Sequence, residues 1–158
     1  MNGTAARPTV RVQREAFDTA AEIDRLTKGR TDVGAVVTFG GYCRGEAGRL
    51  AALELEHYPG MAEAEIGRIA GEAAERWELL GLTVVHRFGR IEPGDAIVLV
   101  AAISEHRLAA FEAAAFLMDY LKSSAPFWKK EELAEGGAGG WVDAKDSDAA
   151  AAKRWKLP

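Results

Sequence analysis

HRLAAFEAAAFLMDYLKSSAPFWKKE, from His106 to Glu131, is the stretch around which the rest of the chain is read. Leu108, Phe111, Ala115 and Met118 follow 3-4-3 spacing, which predicts a helix with those four on one buried face. Pro126 cannot continue a helix and biases Ala125 towards an extended backbone, so the chain must turn there. Lys122 stands at the end of the helix, and Lys129 and Lys130 just past the turn. Such a turn can bring Lys122 and Lys129 to one site, although two solvated loop lysines would show the same spacing. His106 and Arg107 fall at the helix start, where the dipole favours an anion, not a cation. They are explained either by an outside negative charge or by pairing with Glu105.

Working outward, Thr9–Gln13 reads as an edge strand and Phe17–Leu26 as a helix stopped by Gly29. Gly34–Gly41 is a β-branched run closed by two glycines and reads as a buried strand. Leu50–Tyr58 alternates as a strand with one wetter face, and Pro59-Gly60 ends it. Met61–Leu80 has the inward stripe of a second long helix: Ile66, Ile69, Ala73, Trp77 and Leu80. Thr83–Phe88 and Asp95–Ser104 read as strands joined around the turn Glu92-Pro93-Gly94-Asp95. The second of these is apolar enough to be a central strand, and Ser104 can cap the helix that follows. Phe127–Leu133 and Gly140–Ala144 can pair across GGAGG, within a flexible Gly-rich connection at 134–140, and Ser147–Trp155 reads as a short terminal helix. Local antiparallel pairs mixed with helix crossovers predict an α+β domain whose mixed sheet is largely antiparallel, with helices packed on it.

The 158 residues predict one domain spanning 1–158, with 48% hydrophobic and 28% charged residues as in ordinary globular chains. A net charge of -4 and a pI near 5.5 argue against a nucleic-acid binder. Cationic chemistry must then come from local clusters. One cysteine excludes an internal disulfide and suits a reducing compartment. The first ten residues lack a signal-peptide core, and the longest apolar run, Ala96–Ile103, is eight residues, too short for a membrane span. A cytoplasmic protein, with no membrane partner, is expected.

Arg44 lies in a Gly-flanked loop, where a guanidinium can grip a phosphate by two bonds or simply face solvent. Lys122 and Lys129 can exchange protons if burial and mutual repulsion lower their affinity for them, and Phe127 and Trp128 can supply the apolar wall. Cys43 beside Arg44 reads as a packing residue more readily than as a reactive thiolate. His57 and His86 fall on strand patterns without companions at metal-ligand spacing. There is no HExxH, CxxC, GxSxG or P-loop, so neither a metal nor a bound cofactor is expected.

The strings GAVVTFGGYCR, LELEHYPGM, VVHRFGRIEPGD, EHRLAAFEAAAFLMDYLKSSAPFWKKE and the tail from GGWVDAK to AAKRW resemble the MoaE family, the catalytic subunits of molybdopterin synthase. The resemblance runs from about Gly34 to Trp155; the first thirty or so residues carry little of it. It implies an α+β fold with a hammerhead-like β element. It also implies a sulfurtransferase that converts cyclic pyranopterin monophosphate into molybdopterin. Sulfur would come from the thiocarboxylate on the C-terminal Gly-Gly of a small ubiquitin-like carrier of the MoaD type. A homodimer with a carrier at each end, a heterotetramer, is implied as well. By the same resemblance Lys122 and Lys129 are the catalytic lysines. Arg44, His106 and Arg107 bind substrate, and Lys130, Glu131, Tyr42 and Cys43 flank it. The departure is Gly41-Tyr42-Cys43-Arg44, where many members carry G-x-V-R. A non-catalytic dimeric partner of the carrier or of a pterin is the alternative from another class.

Overall fold

The computed structural model describes residues 5–142 and 146–155. Its first sheet is built around β6 (Ala96–Ser104), whose run Val98–Ser104 is buried throughout. The order is β1 (Thr9–Gln13), β4 (Gly81–Arg87), β6, β2 (Ala35–Tyr42), with β1 parallel to β4 and the other pairs antiparallel. Helices α2 (Met61–Arg76) and α3 (Arg107–Ser124) cover one face. There Ile66, Ile69 and Ala73 meet Ala113, Leu117 and Leu121 over Val84, Val98, Val100 and Ala102. On the other face, Leu26 of α1 (Thr19–Thr27) closes on Gly81 and Ile103. Asp18 caps α1 by accepting from the Ala21 N–H at 3.1 Å. A core strand sandwiched by helices explains why β6 reads as a continuous apolar run.

A second, antiparallel sheet has the order β5 (Gly89–Ile91), β3 (Leu50–His57), β7 (Phe127–Leu133), β8 (Ala138–Val142). It carries its own small core of Cys43, Leu50, Leu55 and Ile91. Gly136 and Gly137, at φ 92° and 89°, make the β7–β8 turn in a region of backbone space that other residues avoid. The hairpin across the glycines is therefore present. Its second strand starts two residues earlier than 140–144, and residues 143 and 144 lie outside the described ones. Helix α4 (Asp146–Lys153) leads to Trp155, which packs edge-on against Trp77 at 5.6 Å and donates to the Asp119 carboxylate at 2.5 Å. The fold is α+β, with two sheets in place of one. No helix among the described residues is long and apolar enough to cross a membrane.

Three expectations need correction. Gly34–Gly41 is not interior: β2 pairs only with β6 and is an edge strand, with Val36 and Phe39 about 40% and 39% exposed. A β-branched run identifies a strand but not its place in a sheet. On α3 the buried row is Ala110, Ala113, Ala114, Leu117 and Leu121, whereas Leu108 and Phe111 are 66% and 59% exposed. The two apolar rows lie roughly a third of a turn apart, at about 100° per residue. The alanine row wins the sheet because small side chains let the helix axis come close. Lastly, α2 ends at Arg76 instead of Leu80, because Glu78 turns left-handed at φ 49° and the Leu80 N–H pairs with the Ile103 carbonyl at 2.9 Å.

Gly34 marks a close approach between the start of β2 and the loop before α3. A Cβ there would collide with the Glu105 carbonyl oxygen, while the Gly34 N–H is held by the Ser104 carbonyl at 3.0 Å. Gly34→Ala should cost about 1–3 kcal/mol by forced backbone displacement, read as a lower urea midpoint at unchanged slope.

Candidate active site

A cleft of about 520 Å³ opens between the two sheets. Its cationic wall follows from the turn in the quoted stretch. At Ala125 the backbone leaves α3 extended, φ -68° and ψ 132°, as a residue before proline must, and Phe127 already belongs to β7. The chain thus doubles back within three residues, and Lys122 from the last turn of α3 lines the same cleft as Lys129 of β7.

Strand alternation then sorts the residues of β7. Phe127, Lys129 and Glu131 are half-buried on the inner face, whereas Trp128, Lys130 and Glu132 are exposed. Lys130, expected beside the substrate, lies instead on the outer face, its ammonium 6.0 Å from the Trp141 ring centre. Glu131 borders the cleft and pairs with Arg49 at 2.7 Å, and Arg49 also binds Glu46. Glu46, Ala47 and Gly48 run left-handed in succession, at φ 51°, 56° and 87°, folding the 43–49 loop tightly against β7. Arg49 was not among the candidates. Its role as the tie between this loop and β7 depends on the loop's path, which leaves no spacing signal.

The loop places Arg44 at the cleft, with Tyr42 at its mouth, 61% exposed. Cys43 has the opposite character. Its N–H donates to Asp95 at 2.9 Å, its carbonyl accepts from Gly94 at 2.8 Å, and its thiol faces the Ile91 carbonyl at 3.9 Å. Burial pushes the thiol's pKa up, and the nearby Asp95 and Glu46 charges push it further. It is a protonated anchor that aims Arg44, and its polar groups are spent on the fold.

His106 and Arg107 are exposed at the other end of α3 and do not border this cleft. Fifteen residues separate Arg107 from Lys122, which at 1.5 Å per residue is roughly 22 Å along the helix. His106, not Ser104, is the N-cap residue, and no side chain caps α3. The Ser104 hydroxyl accepts from the His106 N–H at 3.1 Å and so holds the loop before the helix, which corrects the expectation that Ser104 caps it. Among the described residues no three His, Cys, Asp or Glu converge as a metal site would require.

Residues 12–124 match the family model described as MoaE protein. The chain belongs to the MoaE family. Among its relatives is the "Molybdopterin synthase catalytic subunit" of Mesorhizobium japonicum, 72% identical over 149 residues and covering 94% of each chain. The protein of the same name from Pseudomonas aeruginosa is 51% identical, covering 93% of this chain and 98% of its own. The MoaE protein of Burkholderia ambifaria superposes with a TM-score of 0.81 at 45% identity, covering 96% of this chain and 99% of that one. Molybdopterin synthase from Staphylococcus aureus gives 0.74 at 33% identity, covering 84% and 95%.

One further residue of this MoaE chain enters the cleft without having been singled out for a role: His86 of β4. Burial pulls its pKa from 6.5 down to about 4, the Arg87 carbonyl opposes this, and the charges of Lys129, Lys122 and His57 add to it. The folded ring therefore refuses a proton that the unfolded chain accepts near pH 6.5. Between those values the unfolded state binds more protons, so stability is complete above pH 6.5 and is lost as the pH falls towards 4. The loss is up to about 3 kcal/mol. Urea midpoints measured from pH 7 to 4.5 should fall, and His86→Phe should remove most of that slope.

Proposed function

We propose that this MoaE chain is the catalytic subunit of a molybdopterin synthase. It moves sulfur from the C-terminal thiocarboxylate of a small MoaD-type carrier to cyclic pyranopterin monophosphate, forming the dithiolene. The observation that carries the reading is the convergence of Lys122, Lys129 and Arg44 on one cleft in an otherwise acidic protein. A glycine-ended tail is narrow enough to enter between two sheets, and its thiocarboxylate is an anion that such a cleft attracts.

In this reading Lys122 holds the thiocarboxylate and then the oxyanion formed as the carrier's acyl group is transferred or hydrolysed. Lys129 moves protons as the phosphate ring opens and sulfur adds. Arg44 takes the phosphate, Tyr42 borders the entrance, and Glu131, steadied by Arg49, limits the positive charge on that wall.

In this reading His106 and Arg107 serve the site of a second copy, which their distance from Lys122 along α3 supports. Leu108 and Phe111 on α3, with Phe39 on the unpaired edge strand β2, form an exposed apolar set beside the helix start that carries His106 and Arg107. A two-fold homodimer through this face buries that set and brings the second copy's His106 and Arg107 to the Arg44 end of the cleft, where Phe39 already stands. With one carrier per cleft, the assembly is a heterotetramer.

The test is a single-turnover reaction with cyclic pyranopterin monophosphate and thiocarboxylated carrier, read as the oxidised fluorescent derivative of the product. Product formation is expected. Tight carrier binding without product would replace this reading by that of a non-catalytic partner.

A further inference from the structure

His86 is tied to the lysine wall by stacked rings. Its imidazole lies on Phe127 with centroids 3.8 Å apart and planes 13° from parallel. His57 stacks on Phe127 as well, at 5.9 Å and 27°. Phe127 is two residues before Lys129, so both side chains project from the same face of β7. The ring's orientation is set independently of that contact. Its Nδ1 lies 2.8 Å from the Arg87 carbonyl oxygen, and a carbonyl can only accept, so Nδ1 carries the hydrogen. One edge of the ring is pinned to β4, and its face is the seat on which β7 begins.

That seat matters because of where β7 begins. Phe127 follows directly on the Ala125-Pro126 turn, and its N–H is bonded back to the Ala125 carbonyl at 2.8 Å. Lys129 comes two residues later. The ladder to β3 pairs Phe127 with His57 and Lys129 with Leu55, and so fixes β7 within its own sheet. What the ladder does not fix is how the start of β7 sits against β4 of the other sheet, and the ring stack supplies that reference. The other imidazole property, a charge gained at mildly acid pH, would be harmful here, since a cation would face Lys122 and Lys129 across the cleft. The burial described above keeps the ring neutral.

We infer that His86 is a positioning residue for sulfur transfer: its pinned ring seats Phe127 and thereby sets where β7 presents Lys129 in the cleft. The inference rests on the synthase reading for its kinetic consequence, but the placement itself can be tested without turnover. His86→Ala removes the seat, and His86→Phe restores a flat ring that carries neither ring nitrogen and so lacks the Nδ1 contact to the Arg87 carbonyl. In single-turnover reactions with the complete assembly, His86→Ala should slow the chemical step by about 10- to 100-fold, the scale of a misplaced reacting group. Its half-saturating carrier concentration should stay unchanged, and His86→Phe should recover most of the rate. In parallel, reductive ¹³C-methylation of the lysines gives separate NMR signals. The Lys129 signal should move in His86→Ala and return in His86→Phe, while that of Lys130, on the opposite face of β7, stays in place. A His86→Phe protein as slow as His86→Ala would overturn the inference in favour of direct chemistry by the ring nitrogen. An unmoved Lys129 signal in folded His86→Ala would overturn it outright. If wild-type protein makes no product while the Lys129 signal moves as expected, the synthase reading fails and the positioning role stands.

Discussion

Lys122→Ala should lose sulfur transfer almost completely while keeping its fold. Lys122 is exposed at the last turn of α3, and the helix is held by Ala113, Leu117 and Leu121 on another side, so the stability change should stay within about 0.5 kcal/mol. The chemical effect is expected to be large because Lys122 lines the cleft, and a carrier tail filling that cleft would displace water from around its ammonium. Removing one such group from a developing oxyanion costs about 10²- to 10³-fold in rate. Thermal melts and single-turnover product yield, measured on one preparation, separate the two effects. A variant that keeps near-normal turnover would remove Lys122 from the mechanism, and with it the reading of the cleft as a thiocarboxylate site.

Mixing two inactive proteins should restore activity. If the second copy's Arg107 completes a cleft built on Lys122, a Lys122→Ala homodimer and an Arg107→Ala homodimer each contain only damaged sites. After subunit exchange half of the dimers are mixed, and each mixed dimer has one site with both residues intact. The expected recovery is about a quarter of the wild-type rate. The argument depends on length: α3 carries Arg107 and Lys122 on one rigid rod roughly 22 Å apart, too far for both to hold one small pterin from a single chain. Phe111→Glu, which places a charge in the exposed apolar set, should abolish the recovery by keeping subunits apart. No recovery after exchange has been verified by mass spectrometry would place His106 and Arg107 outside the site.

Much of the fold was legible from periodicity. β6 announced itself as an apolar run too short for a membrane and flanked by turn residues. The Ala125-Pro126 break gave the reversal that sets Lys122 and Lys129 on one cleft. The paired glycines at 136 and 137 marked a hairpin by their local chemistry alone. The misreadings share a cause. Helix α3 is apolar around most of its circumference, so two stripes competed for the sheet, and local spacing does not choose between them. β2 is β-branched whether it lies at an edge or in the middle. Lys129 and Lys130 are neighbours in the chain, yet strand alternation sends them to opposite faces of β7.

The sequence by itself determined most of the elements, the lysine-bearing turn and, through its motifs, the family. Only the tertiary structure decided which side chains share a space. It put His86 against Phe127, gave Arg49 to Glu131, spent the polar groups of Cys43 on its neighbours and left Leu108 and Phe111 uncovered. The physical reason is that periodicity is set by bonds within a few residues. Faces and partners are set by packing between elements 30 to 90 residues apart, and no local pattern encodes that.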